Sequence, residues 1–179
     1  MSINDNGIME ALKENPQNGF RMLMAKYQEN VYWHIRRLVV SHDDAQDASQ
    51  ETFVRIYRSF GNYRGDCSLR SWIYRIATNE ALRIISKRRQ EVVSIGSETT
   101  GVNLIQGDNY IDFDDKVAVK LQKAILLLPP KQQLAFNLRY YDELSFDEIA
   151  RIADSTPSSI KASYHVAKEK IVKYMNSND

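Results

Sequence analysis

The chain has 179 residues, enough for one large domain or two small ones. Its 24 basic and 23 acidic residues nearly cancel, so no global charge marks a nucleic-acid binder. A single cysteine, Cys67, excludes an intrachain disulfide and a multi-cysteine zinc site and fits a reducing cytosol. The N-terminus lacks the pattern of a signal peptide, and no run of 18 apolar residues offers a membrane span.

Residues 6–88 read as nearly continuous helix with short breaks. Asn15-Pro16-Gln17 restarts a helix, after which Phe20, Leu23, Met24, Tyr27, Val31, Ile35 and Leu38 fall on one stripe. Ser41-His42-Asp43-Asp44 breaks that helix and caps the next, whose apolar positions are Ala45, Ala48, Thr52, Phe53, Ile56 and Phe60. Asp43, Asp47, Gln50, Glu51 and the outer side of Val54 give this helix an acidic and amide face. That face fits a surface for docking a basic helix, or simply a solvated one.

Gly61 to Cys67 is a turn-rich loop. Its Tyr63, Arg64, Gly65 and the following Ser68 combine a ring, a cation, close backbone approach and a hydroxyl. Such a set can hold one unstacked base, although Asp66 or Ser68 would equally serve as an N-cap. Ser68 to Arg89 is a long helix with Leu69, Trp72, Ile73, Ile76, Ala77, Ile84 and Ile85 inward. Its other face carries Arg70, Tyr74, Arg75, Thr78, Asn79, Arg83, Ser86 and Lys87, in which Arg75, Asn79, Arg83 and Lys87 form an i,i+4 row. Guanidinium and ammonium groups neutralise phosphates, and an asparagine amide can read a base edge, but a solvated helix face has the same composition.

Charge is segregated along the chain. Residues 62–90 hold seven basic residues against Asp66 and Glu80, whereas residues 91–115 hold six acidic residues and no lysine or arginine. With Gly96, Gly101 and Gly107 scattered through it, the stretch 91–113 reads as a flexible acidic linker. Helix resumes near Asp114 and runs to Leu128, where Pro129-Pro130 stops it. Residues 131–174 read as a helix-turn-helix. Ser145-Phe146-Asp147-Glu148 is a capping box, Asp154-Ser155 a polar turn, and Thr156-Pro157 an N-cap followed by proline at the first helical position. Ile160, Tyr164, Ala167 and Ile171 line the second helix. The fold class expected is all-α: two small helical domains, 6–90 and 114–175, joined by the linker 91–113, the second domain a helix-turn-helix.

Two blocks of residues resemble a known family. Asp44-Ala45-x-Asp47-x-x-Gln50-Glu51-x-Phe53, Tyr63-Arg64-Gly65 and Ser71-Trp72-Ile73-Tyr74-Arg75-Ile76-Ala77-x-Asn79 are similar to the promoter-melting domain of bacterial RNA polymerase sigma factors, in the extracytoplasmic-function (ECF) group of the sigma-70 family. Leu128-Pro129-Pro130-x-Gln132, Leu144-Ser145-x-x-Glu148-Ile149-Ala150 and Ser159-Ile160-Lys161-Ala162 resemble that group's C-terminal promoter-binding domain. The resemblance implies a transcription initiation factor and no enzyme, with no catalytic residue, metal, cofactor or small-molecule substrate. It implies core RNA polymerase, promoter DNA and an anti-sigma factor as partners, in the cytoplasm.

By the same resemblance, Asp47, Gln50 and Glu51 would bind the polymerase clamp (region 2). Tyr63, Arg64, Asp66, Ser68, Arg70, Tyr74, Arg75, Asn79, Arg83 and Lys87 would read and melt the −10 element. Thr156, Ser158, Ser159, Lys161, Ala162, His165 and Lys168 would enter the major groove at −35 (region 4). The family's recognition helix usually opens Gly-Thr-Val-Lys-Ser-Arg, with a further arginine three residues on. Here Ser158 to Ser163 and Val166 take those places, so two phosphate-binding guanidinium groups are missing. Two other readings stay open on the residues alone: a helix-turn-helix regulator that acts without polymerase, and a hydrolase with a metal on Asp108, Asp112, Asp114 and Asp115.

Overall fold

The computed structural model describes residues 3–95 and 114–177, and among these all regular structure is helical. The N-terminal helices are α1 (Asp5–Glu14), α2 (Pro16–Val39), α3 (His42–Ser59) and α4 (Leu69–Ile95), with a 3₁₀ turn at Phe60–Asn62. The C-terminal helices are α5 (Lys116–Leu126), α6 (Pro130–Tyr140), α7 (Phe146–Ile152) and α8 (Pro157–Asn176). Of the expected acidic linker, residues 96–113, with Asp108 and Asp112, lie outside the described residues.

Local chemistry sets most helix starts. The side chain of Asn15 accepts from the Asn18 amide and Pro16 stands at the first position of α2. Ser41 caps α3, and Asp115 caps α5 by accepting from the Val117 and Ala118 amides at 3.0 and 3.1 Å. The reciprocal Ser145–Glu148 capping box opens α7, and Thr156 caps α8 ahead of Pro157. One boundary differs from expectation. The fourth helix runs six residues past Arg89, so its last turns occupy positions assigned to the linker.

Helix α1 crosses α2 at Gly19, where a β-carbon would stand 2.3 Å from the Leu12 amide nitrogen. Only glycine permits that approach. Ile8 and Leu12 from α1 then join Leu23, Tyr27, Val31 and Ile35 from α2, Ala45, Ala48, Phe53 and Ile56 from α3, and Leu69, Ile73, Ala77 and Ala81 from α4. His34 is wholly buried in this core and meets Thr78 of α4 at 2.8 Å.

The two domains pack directly. The buried apolar cluster continues from the N-terminal bundle into Leu134, Ala135, Leu138, Leu144, Ile149 and Ile152 of the C-terminal one. Helix α4 lies against α7, and α2 against α6. A second contact lies at the end of α2. Val40 takes φ 68°, a left-handed conformation unusual for a β-branched residue, and its side chain is buried against Ala118, Val119 and Leu126 of α5. Its amide bonds the Arg36 carbonyl at 2.9 Å, and its own carbonyl accepts from the buried Arg36 guanidinium.

Candidate nucleic-acid interface

Three surfaces carry the residues singled out in the sequence. The first is the outer face of α4 with the loop before it. Arg75, Asn79, Arg83 and Lys87 are exposed along one side of the helix, as an i,i+4 row requires. The row is less uniformly cationic than its sequence suggests. Glu80 is 3 % exposed, yet its carboxylate holds Arg83 at 2.8 Å and Arg55 of α3 at 2.5 Å. Arg88, in the same basic segment, points inward. It bonds the Val39 carbonyl at 2.9 Å and pairs with Asp44, and burial pushes its basicity down.

In the loop, Arg64 and Asp66 are exposed, and Gly65 adopts φ 78°, which favours glycine. Tyr63 packs its ring on Trp72 with centroids 5.1 Å apart and donates its hydroxyl to the Cys67 carbonyl at 2.5 Å. Burial raises the Tyr63 phenol above its ordinary range. Ser68 accepts from the Ser71 amide at 3.1 Å, the geometry of an N-cap.

Tyr74 corrects the periodicity reading. Assigned to the polar face with Arg70 and Arg75, it is 2 % exposed. Its hydroxyl donates to Asp142 in the C-terminal domain at 2.8 Å, and its ring lies 5.0 Å from that of His34. Burial, and then the Asp142 carboxylate, raise its phenol well above the ordinary value. The helix is covered on more than one side, by α2 and α3 and also by α7, so its buried arc is wider than an amphipathic stripe.

The second surface is α8. Ile160, Ala167 and Ile171 are buried, which turns Lys161, Ala162, His165 and Lys168 to solvent on the opposite side. Thr156 and Ser158 are exposed at its N-terminus. Ser159 is half-buried, and its hydroxyl accepts from the Lys131 ammonium at 2.7 Å. Lys131, at the start of α6, therefore places a cation beside the first turn of α8. Sequence reading missed it, because 28 residues separate it from Ser159. Its only local signal is its place directly after Pro129-Pro130.

The third surface is α3. Asp47 and Gln50 are exposed, while Glu51 is half-buried and paired with Arg55 at 3.2 Å. Beside Gln50 runs a groove of about 820 Å³ between α2 and α3, lined by Phe20, Met24, Tyr32, Phe53, Val54 and Tyr57. Phe20 and Met24, read in sequence as core, are half-buried walls of this groove. Val54 and Tyr57 are 41 % and 52 % exposed in it. Of the three polar residues, Gln50 lines the groove, whereas Glu51 turns to Arg55, which also pairs with Glu80 of α4.

A helix-turn-helix with an exposed cationic recognition helix, joined to a bundle carrying a second basic helix face, defines a two-domain DNA-binding protein. The comparisons with known proteins are more specific. Residues 23–91 match the family model for Sigma-70 region 2, and residues 118–171 match that for Sigma-70, region 4. The chain is 28 % identical to the RNA polymerase sigma-H factor of Pseudomonas aeruginosa, over 94 % of its own length and 92 % of the relative's. It is 27 % identical to the ECF RNA polymerase sigma-E factor of Escherichia coli K12, over 94 % and 93 %.

Its fold is similar to that of the sigma factor RpoE in complex with the anti-sigma factor NepR from Bartonella quintana. The TM-score is 0.72, with 21 % identity, 89 % of this chain and 98 % of that one. CnrH in complex with the cytosolic domain of CnrY gives the same TM-score at 14 % identity, covering 96 % and 97 %. The chain belongs to the sigma-70 family of RNA polymerase sigma factors, in its ECF group.

Proposed function

We propose a division of labour for this alternative sigma factor across its three surfaces. The α3 face, with Asp47, Gln50 and Glu51 beside the apolar groove, binds core RNA polymerase. The α4 row and the 62–68 loop read and open the −10 element. The exposed side of α8, with Lys131 at its head, binds duplex at −35. The chain does no covalent chemistry of its own, acts in the cytoplasm, and is controlled by an anti-sigma protein.

The observation that carries the reading is the co-occurrence of both sigma regions in one chain, with Arg75, Asn79, Arg83 and Lys87 of the first and Lys161, His165 and Lys168 of the second open to solvent. The physics is consistent with melting without ATP. Catching unstacked bases offsets the few kcal/mol of unstacking. Arg75, Arg83 and Lys87 supply phosphate neutralisation, and Asn79 supplies a bidentate amide for a base edge.

The test is in vitro transcription with bacterial core polymerase, start sites mapped, followed by permanganate footprinting of thymines on the promoter found. Wild-type holoenzyme should make −10 thymines reactive. Asn79→Ala should lose base discrimination by about 1–3 kcal/mol. Arg83→Ala or Lys87→Ala should weaken opening evenly across sequences and lower the salt slope. An unreactive −10 region, or variants that melt as well as wild type, would reject this surface and favour a regulator that works without polymerase.

A further inference from the structure

We propose that Glu80 is a positioning residue for promoter opening: braced on α3 by Arg55, its buried carboxylate grips one edge of Arg83 and presents the other edge to the phosphate backbone. The inference rests on the reading of the α4 row as the −10 surface.

By composition alone, a glutamate next to Asn79 works against a DNA-binding face, since it repels phosphate. The structure turns it inward, to 3 % exposure. Its Oε2 accepts from both Nε and Nη2 of Arg83, at 3.1 and 2.8 Å. Its Oε1 meets Nε of Arg55 on α3 at 2.5 Å. Both oxygens are thereby paired with cations from two helices. A carboxylate this deep is costly to leave without its cations, so it is a fixed point where a surface pair would exchange with water. Nε of Arg55 also approaches Glu51, at 3.2 Å, so its closer hold is on Glu80.

The grip leaves Arg83 with a defined outer edge. A guanidinium carries five N–H donors in one plane. Glu80 takes two of them, and the other three lie along the opposite side of a side chain that is 61 % exposed. Two contacts to one oxygen fix that plane. An arginine held in this way has already lost the rotamer freedom that a free one gives up on binding, a factor of about 2 to 10 in affinity. Glu80 also sets a single charge behind two cations, so the outward edge stays positive. Arg83 lies one helical turn beyond Asn79. A phosphate seated on it therefore sets the register in which the Asn79 amide meets a base edge.

The experiment uses holoenzyme at saturating core polymerase, on a promoter mapped with wild type. Opening is followed as the rate at which −10 thymines become permanganate-reactive. The variants are Asn79→Ala, Glu80→Gln, Arg83→Ala, Arg83→Lys, Arg55→Met, and Arg83→Ala combined with either Glu80→Gln or Arg55→Met. Glu80→Gln offers one acceptor oxygen to two guanidinium groups. It should slow opening about fivefold and add nothing to Arg83→Ala, which alone should slow it at least as much. Arg83→Lys keeps the charge but not the two-edged fork, so it should be slowed as much as Glu80→Gln. Arg55→Met should slow opening less, again with no effect once Arg83 is alanine. Its side chain is 49 % exposed, so it keeps the test sound should Glu80→Gln fold poorly by circular dichroism.

Equal losses from Glu80→Gln with and without Arg83 would make Glu80 a packing residue and overturn the proposal. Faster opening by Glu80→Gln would overturn it too, because the carboxylate would then be masking Arg83. Wild-type rates for Glu80→Gln or Arg83→Lys, with Arg83→Ala slow, would show that the charge of residue 83 suffices without positioning. Wild-type rates for Asn79→Ala and Arg83→Ala alike would instead overturn the −10 reading itself.

Discussion

His34 on α2 and Thr78 on α4 meet at 2.8 Å in the middle of the N-terminal core, between an imidazole Nε2 and a hydroxyl. The contact ties together the two longest helices of the bundle where no solvent reaches. Burial, and secondarily the Arg37 charge, push His34 down to about 3 from an ordinary value near 6.5. The imidazole is neutral in the folded protein at any physiological pH.

That sets the first prediction. The folded value lies below the unfolded one, so between about pH 6.5 and pH 3 the unfolded chain binds the extra proton. Stability from this group is whole above pH 6.5 and falls as pH drops, approaching about 1.4 kcal/mol per pH unit. Asp142, raised by burial, works in the opposite sense, so the comparison of variants isolates the histidine. Urea midpoints at pH 7 and pH 5.5 should differ clearly for wild type and much less for His34→Gln. An equal pH slope in both proteins would show that another group governs acid sensitivity.

Gly19→Ala should be costly. The added methyl would overlap the backbone of Leu12, and backbone cannot rotate away as a side-chain tip can. Overpacking of this kind costs about 1–3 kcal/mol, here expressed as displacement of α1. Faster hydrogen exchange of α1 amides, with a lower thermal midpoint, is the expected signature. An unchanged midpoint would mean the crossing tolerates more separation than its geometry implies.

Ser145→Ala removes one half of the capping box, the Ser145 hydroxyl that accepts from the Glu148 amide, and leaves the backbone amide at 145 to donate to the Glu148 carboxylate. Helix α7 has only seven residues, so it has little internal stability to spare. The loss should be about 1 kcal/mol in thermal unfolding, near the usual cost of a lost cap. Ser145→Asp should restore most of it.

Core binding is checked by reversing charge on the α3 face. Asp47→Lys with Glu51→Lys should weaken capture of core polymerase in a pull-down titration by tenfold or more, since like charges across an interface cost on the order of several kcal/mol. Helical circular dichroism should be retained. Tyr57→Ser, which changes the groove and no charge, should weaken capture too if the apolar wall is part of the same contact. Wild-type affinity in both would remove this face from the polymerase contact.

At α8, Lys161→Ala and Lys168→Ala should each lower duplex affinity of the holoenzyme and reduce the salt slope by about one ion. Lys131→Ala should behave like them although it lies on another helix, because its ammonium reaches Ser159 at 2.7 Å. A salt slope unchanged by Lys131→Ala would confine its role to helix packing.

What the sequence determined by itself was local. The starts at Asn15-Pro16, Ser41, Ser145 and Thr156-Pro157 depend on side chains bonding amides three residues on, so they were readable and the structure holds them. The faces of α3 and α8, and the helical class of the whole, followed from periodicity for the same reason. Tertiary structure alone decided the rest. Tyr74 sits on the polar side of α4 by spacing, but a domain 68 residues away buries it. Val40 is left-handed because α5 covers its side chain and Arg36 holds its carbonyl, neither of which is a neighbour's propensity. The groove beside Gln50, the Lys131–Ser159 contact and the Glu80 link between two arginines join separate helices. Such contacts depend on how helices pack, which a one-dimensional period does not encode.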